Sequence, residues 1–204
     1  MQNILLHLPY FGSVLQASEL IKPAVIFFEN EDNYQKQTYR NRMYIYDSNG
    51  KLSLTIPVKH SFNNSGHQKY KDIRIENDFK WQQQHWRSLK TAYQTSPFFE
   101  FYEDELAPLY HQEYSFLMDF NYDCLDFLTE ALQLTPDFRK TDEYIRHPED
   151  KLDKRELINA KTKHLIPPYT QVFEDKHGFL PDLCILDLLF CEGPNTSEYL
   201  KKLW

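Results

Sequence analysis

Glycine is scarce in this chain. Its 204 residues include only Gly12, Gly50, Gly66, Gly178 and Gly193, no two of them within six positions of each other. Neither a Walker A loop nor a G-x-G-x-x-G turn can be assembled, since both need clustered glycines to bring backbone against phosphate. Cysteine is scarcer still. Cys124, Cys184 and Cys191 are odd in number and form no C-x-x-C pair, which argues against a disulfide framework or a structural zinc site. H-E-x-x-H is absent and no two histidines stand three or four apart, so no metal-ligand pattern is found. The G-x-S-x-G elbow of hydrolases is missing too. His111-Gln112-Glu113 begins like a zinc-deaminase signature, but the Pro-Cys-x-x-Cys it requires does not follow. The longest apolar run, Ala24 to Phe28, is far below the roughly 20 residues of a spanning helix. Met1-Gln2-Asn3, with no basic or long apolar stretch, is not expected to open a signal peptide. Positive charge is also in deficit: 23 Lys+Arg against 30 Asp+Glu leave −7, which disfavours a nucleic-acid partner. The expectation is a cytoplasmic protein without a transmembrane segment.

Hydrophobic residues make up 41% and aromatics 16% of the chain, ample for one core in a single domain spanning 1–204. Ile4 to Leu6 reads as a strand, Ser13 as the cap of a helix stopped by Pro23, and Ala24 to Phe28 as a second strand. This is a βαβ unit, and parallel strands are expected. Met43–Tyr46 and Leu52–Ile56 flank Asn49-Gly50, a strong hairpin signal. Ile73 and Ile75 suggest one more strand. After residue 77 the period turns helical. Helices are expected from Asp78, after Ser96-Pro97, from about Ser115 to Leu134, and from Asp182 to Gly193. Residues 139–179 are ambiguous, with a possible strand at Tyr144-Ile145. The fold class is therefore α/β: an N-terminal mixed sheet over 1–77, then a mainly helical part over 78–204.

In open α/β sheets, ligands sit beyond the carboxyl ends of the parallel strands. His7, at the end of the first strand and just before a helix, is placed to serve as general acid/base or phosphate ligand. A strand-end His bonded to backbone is the alternative. Tyr10 lies in the same turn. The second strand ends in Glu29-Asn30-Glu31-Asp32, able to hold a hydroxyl, an amine or a hydrated cation, though a solvated acidic loop is the commoner outcome. Arg40 and Arg42, flanking Asn41, present forked donors to phosphate or carboxylate, or else face neighbouring acids on an exposed strand. Lys59 and His60 follow the Ile56-Pro57-Val58 strand end, and the polar loop running to Lys71 is long enough to act as a lid.

Five segments in order resemble the WbqC-like family of bacterial proteins. They are His7-Leu8-Pro9-Tyr10-Phe11 (family pattern H-Q-P-x-[FY]), Tyr39-Arg40-Asn41-Arg42 (W-x-N-R), Leu54-Thr55-Ile56-Pro57-Val58 (L-T-[IV]-P-V), Ser96-Pro97-Phe98-Phe99 (S-P-[FY]-F) and Asp187-Leu188-Leu189-Phe190 before Gly193 (D-L-L-F-x-x-G). Leu8 stands in place of the usual Gln, Tyr39 in place of Trp, and Glu29-Asn30-Glu31 where a D-D pair is frequent. The resemblance implies a cytoplasmic transferase of surface-polysaccharide (O-antigen type) biosynthesis, using a nucleotide-activated or acyl donor and a sugar or amine acceptor. A non-catalytic protein binding a glycan precursor or a partner is the alternative. By analogy of fold the His7 turn is also similar to that of nucleotidyltransferases. The resulting expectation is that His7 is catalytic, and that Tyr10, Glu29, Arg40, Asn41, Arg42, Lys59 and His60 bind substrate.

Overall fold

The computed structural model describes residues 3–59 and 68–204. Its centre is a four-stranded parallel sheet of β1 (Asn3–Leu6), β2 (Val25–Phe28), β5 (Asp137–Lys140) and β6 (Lys151–Asp153), in the order β5-β2-β1-β6. β1 is paired on both sides, with Ile4 opposite Ile26 and Leu152, so Leu5 and Leu6 are buried on opposite faces of the sheet. Burying each such side chain stabilises the fold by about 2 kcal/mol. Between β1 and β2 runs the short helix α1 (Val14–Ser18), whose Ser13 Oγ accepts from the Gln16 amide at 3.3 Å, as an N-cap should.

The hairpin β3 (Arg42–Asp47) and β4 (Gly50–Thr55) closes on itself as a separate two-stranded sheet, with Asp47 opposite Gly50. The expected single mixed sheet is therefore two sheets. Ile73 and Ile75 add no strand; Ile75 makes one isolated bridge, to Val58. The parallel sheet instead recruits β5 and β6 from the segment with no clear sequence pattern, and no strand forms at Tyr144-Ile145.

Helices α2 (Trp81–Tyr93), α3 (Phe99–His111) and α4 (Leu117–Ala131) pack as a layer against this framework, and the short α5 (Glu174–His177), then α6 (Ile185–Glu192) and α7 (Thr196–Lys201), complete it. Two residues expected at helix starts serve other ends. Ser96 Oγ donates to the Tyr93 carbonyl at the finish of α2, and Asp182 Oδ1 accepts the Leu15 amide of α1 at 2.9 Å. One buried polar knot ties distant segments together. Asp187 of α6 accepts from Tyr93 Oη of α2 at 2.7 Å, Tyr169 Oη at 2.6 Å and Gln171 Nε2 at 2.8 Å. Among the described residues, no helix is long and apolar enough to cross a membrane.

Candidate functional site

All four parallel strands end on the same edge, and the residues just beyond them meet there. β1 leads into His7, β2 into Glu29–Asp32, β5 into Thr141, and β6 into Lys154 and Arg155. Backbone bonds continue the strand pairing past the edge: the Glu29 amide donates to the Leu6 carbonyl, Thr141 to Phe28 and Lys154 to Leu5. The His7 carbonyl is held by Gln16 Nε2 at 2.9 Å.

The His7 ring is buried, and its Nε2 lies 3.2 Å from Asp32 Oδ2. The same oxygen accepts from Arg40 Nη2 at 3.0 Å, and the Asn33 amide donates to Oδ1 at 2.7 Å. Burial lowers the His7 imidazole from its ordinary value of 6.5; its bond to Asp32 opposes that lowering and the nearby Arg40 charge reinforces it. Burial alone would raise the Asp32 carboxyl, but the bond from His7 and the Arg40 charge hold it below the usual carboxylate range. The pair at neutral pH is a neutral imidazole donating Nε2–H to an ionised carboxylate. Among the described residues, Nδ1 has no hydrogen-bond partner.

His7 and Asp32 line a cavity of about 520 Å³, within the range of small-molecule sites. Arg155, Lys36 and Lys161 stand on its walls, opposed by Asp32 and Glu156. Arg155 is locked in place: Nε and Nη2 grip Asp153 at 2.9 and 2.7 Å, and Nη1 donates to the Ile145 carbonyl at 2.6 Å. Beneath it Glu29 is fully buried and already saturated, accepting from Thr141 Oγ1 at 2.8 Å and from the Glu31 and Ile145 amides at 3.0 Å each. Glu29 thus positions the cavity floor rather than touching a ligand.

The structure distributes the other expected site residues more widely. Tyr10 does not line the cavity. It is wholly buried, donating to His85 Nδ1 at 3.0 Å and bonded to Tyr110 Oη at 2.7 Å. Arg40 precedes β3 and is turned inward, over the Tyr70 ring and onto Asp32, so it fixes Asp32 instead of meeting a ligand itself. Arg42, Asn41 and Lys59 line a second cavity of about 760 Å³; Arg40 and Arg42 therefore form no common clamp. Asn41 Nδ2 donates to the Ile56 carbonyl at 2.9 Å. His60 and most of the expected lid lie outside the described residues. The far end of that loop is tied down, with Lys69 and Lys71 Nζ each 2.5 Å from the Glu31 carboxylate.

Two residues at the centre of the cavity were not singled out from sequence. Asp32 ends the acidic run after β2, and the strand-end rule that selected Glu29 covers it equally. Arg155 follows β6, whose Lys-Leu-Asp offers no pattern from which to read a strand.

A Mycobacterium tuberculosis protein described as uncharacterized, Rv1507c, is 29% identical over 196 residues, covering 82% of this chain and 84% of its own. No solved structure matches the chain significantly. The family pattern of the WbqC-like proteins matches residues 7–164, a span that opens on His7 and takes in Asp32, Arg42 and Arg155, and the chain belongs to the WbqC-like protein family.

Proposed function

We propose that the His7 cavity is the active site of a cytoplasmic transferase of bacterial surface-polysaccharide (O-antigen type) biosynthesis. It passes a group from a nucleotide-activated or acyl donor to a sugar or amine acceptor. The choice of pathway rests on the family resemblance; the chemistry rests on the cavity. The observation that carries the reading is the chain His7–Asp32–Arg40 at the carboxyl edge of a parallel sheet. As the acceptor oxygen or nitrogen bonds to the donor carbon, its proton passes to Nδ1 of His7, the nitrogen that Asp32 leaves free and that donor binding must uncover, and the leaving group departs with the bonding pair. The imidazolium so formed faces the Asp32 carboxylate, which Arg40 holds in register. Arg155, Lys36 and Lys161 supply positive charge for a phosphate-bearing leaving group.

A second reading has one specific observation in its favour. Nδ1 of His7 is covered by the fold, which suits a histidine that only donates to Asp32 in a pocket binding a glycan precursor. A thermal-shift panel of nucleotide sugars and acyl-CoA, followed by an assay of nucleotide or thiol release, separates the two. The transferase reading expects a stabilising donor and turnover that persists through the ordinary histidine value of 6.5 and falls only at a more acid pH, because burial delays conversion of the neutral His7 base to imidazolium. It also expects His7→Gln, which keeps an N–H for Asp32, to lose at least about 100-fold in turnover while still binding donor. Release unaffected by His7→Gln, or none from any donor, would overturn it.

A further inference from the structure

Arg42 differs from the other sheltered arginines of the fold. Arg40 is paired with Asp32 at 3.0 Å and Arg155 with Asp153 at 2.7 Å. Arg42 is half-buried at the start of β3, yet among the described residues it has no carboxylate partner, and its Nε has no partner of any kind. Guanidinium does not shed its proton at any working pH, so a charge withdrawn from water without a counter-ion carries an uncompensated cost. Its neighbours deepen the imbalance. The 760 Å³ cavity also has Lys36 and Lys59 on its walls, while its one described acid is Glu76, 3.7 Å from Lys59. Three cations thus face one carboxylate in a chain of net charge −7. Phe79, 65% exposed, forms part of the wall, beside polar Thr55 and Gln37.

We propose that the Arg42 cavity is a second subsite, distinct from that of His7, which binds an anionic sugar: a pyranose bearing a carboxylate or a phosphate. The charge meets Arg42 and Lys36, and the ring lies on Phe79, whose face takes sugar C–H groups. An inorganic anion would leave most of 760 Å³ unfilled, and an acyl chain would strip water from Thr55, Gln37 and Glu76 without replacing it. Both cavities share Lys36 and Gln37 as a common wall, and Gln37 holds a left-handed φ of 61° there. A ligand in one is therefore next to a ligand in the other. On the transferase reading this subsite holds the acceptor, but binding itself does not depend on that reading.

The test is a saturation-transfer NMR titration of the full chain with glucuronate, glucose 6-phosphate and glucose, with inorganic phosphate as the ring-free control. At least one anionic sugar should bind, with glucose and phosphate about tenfold weaker or more, the worth of one charge-assisted contact. The tighter of the two sugars distinguishes carboxylate from phosphate. Arg42→Met should weaken that sugar about tenfold. Phe79→Ala, at an exposed position that the fold does not need, should weaken the sugar and spare phosphate. His7→Gln should change nothing. Equal binding of glucose, no binding of either acid, or unchanged affinity in a folded Arg42→Met would overturn the proposal, as would loss of binding in His7→Gln. Sugar binding without turnover from any donor would instead reject the transferase and leave the subsite standing.

Discussion

His85 shows how one buried side chain sets the acid limit of the fold. It lies on α2 within the core, accepts from Tyr10 Oη, and also hydrogen-bonds the Thr55 backbone. Burial lowers its imidazole from 6.5 to about 4. Above pH 6.5 the ring is neutral folded or unfolded and contributes no pH dependence. Between 6.5 and 4 the unfolded chain binds a proton that the folded chain refuses, so stability falls as pH falls; below 4 both states bind it and the loss levels off at about 3 kcal/mol. His7, also lowered by burial, acts in the same direction. His85→Gln keeps an acceptor for Tyr10 but cannot titrate. Urea midpoints at pH 7 and pH 5 should therefore show about 2 kcal/mol less acid loss in the variant than in the wild type. Equal losses would mean that the folded ring is already charged. At this scale the sequence is a partial guide. The strand-end position of His7 is legible, whereas the partnership of Asp32 with Arg40 depends on a loop geometry that no spacing encodes.

Among the elements, those with a buried face were the readable ones. β1 and β2 are short continuous apolar runs buried by the layers around them, and the hairpin and α4 place apolar residues at period two or near 3.6 because one side of each meets the core. β5 and β6 have no such face. Asp-Phe-Arg-Lys and Lys-Leu-Asp are short, mostly exposed edge strands, and their charges guard an edge open to pairing. Only their neighbours β2 and β1 make them strands. The end of α6 is the opposite case, where a local signal carries a tertiary reason. Gly193 stops the helix at φ +52°, and a Cβ there would sit 2.5 Å from the Phe98 ring. Gly178 has φ +73° with no atom near its missing Cβ, so it isolates the conformational cost. Gly178→Ala should lose about 1–3 kcal/mol. Gly193→Ala should lose that and about 1–3 kcal/mol more for the clash, read from chemical denaturation at one pH. Equal losses would show that α6 does not need the close approach to Phe98.

At the level of the whole molecule, the sequence suggests a seam after residue 77 that the folded chain does not respect. β1 pairs with β6 across 148 positions, Asn3 to Lys151, and β2 pairs with β5 through Phe27 and Arg139. The core between sheet and helices is shared just as closely, with Phe11 edge-on to Phe127, Phe28 to Tyr122, and Tyr10 against Phe120. Residues 1–77 alone would keep β1 and β2 with both outer edges unpaired, a five-residue helix over one face, and the separate β3–β4 hairpin. Two two-stranded sheets and a helix turn, without the helices that cover them, bury too little to offset chain entropy. The sheet edge that carries His7 and Asp32 also depends on Thr141 and Arg155, so the candidate site would be lost with the fold. A 1–77 fragment should thus give a random-coil circular dichroism spectrum and narrow amide dispersion, and so should lack His7-dependent ligand binding. Mixing it with 78–204 should restore strand signal and a cooperative melt, slowly, because pairings this distant in sequence close late. A cooperative melt from 1–77 alone would mean that β5 and β6 merely decorate a self-sufficient unit, and that Arg155 reaches the His7 cavity from outside it.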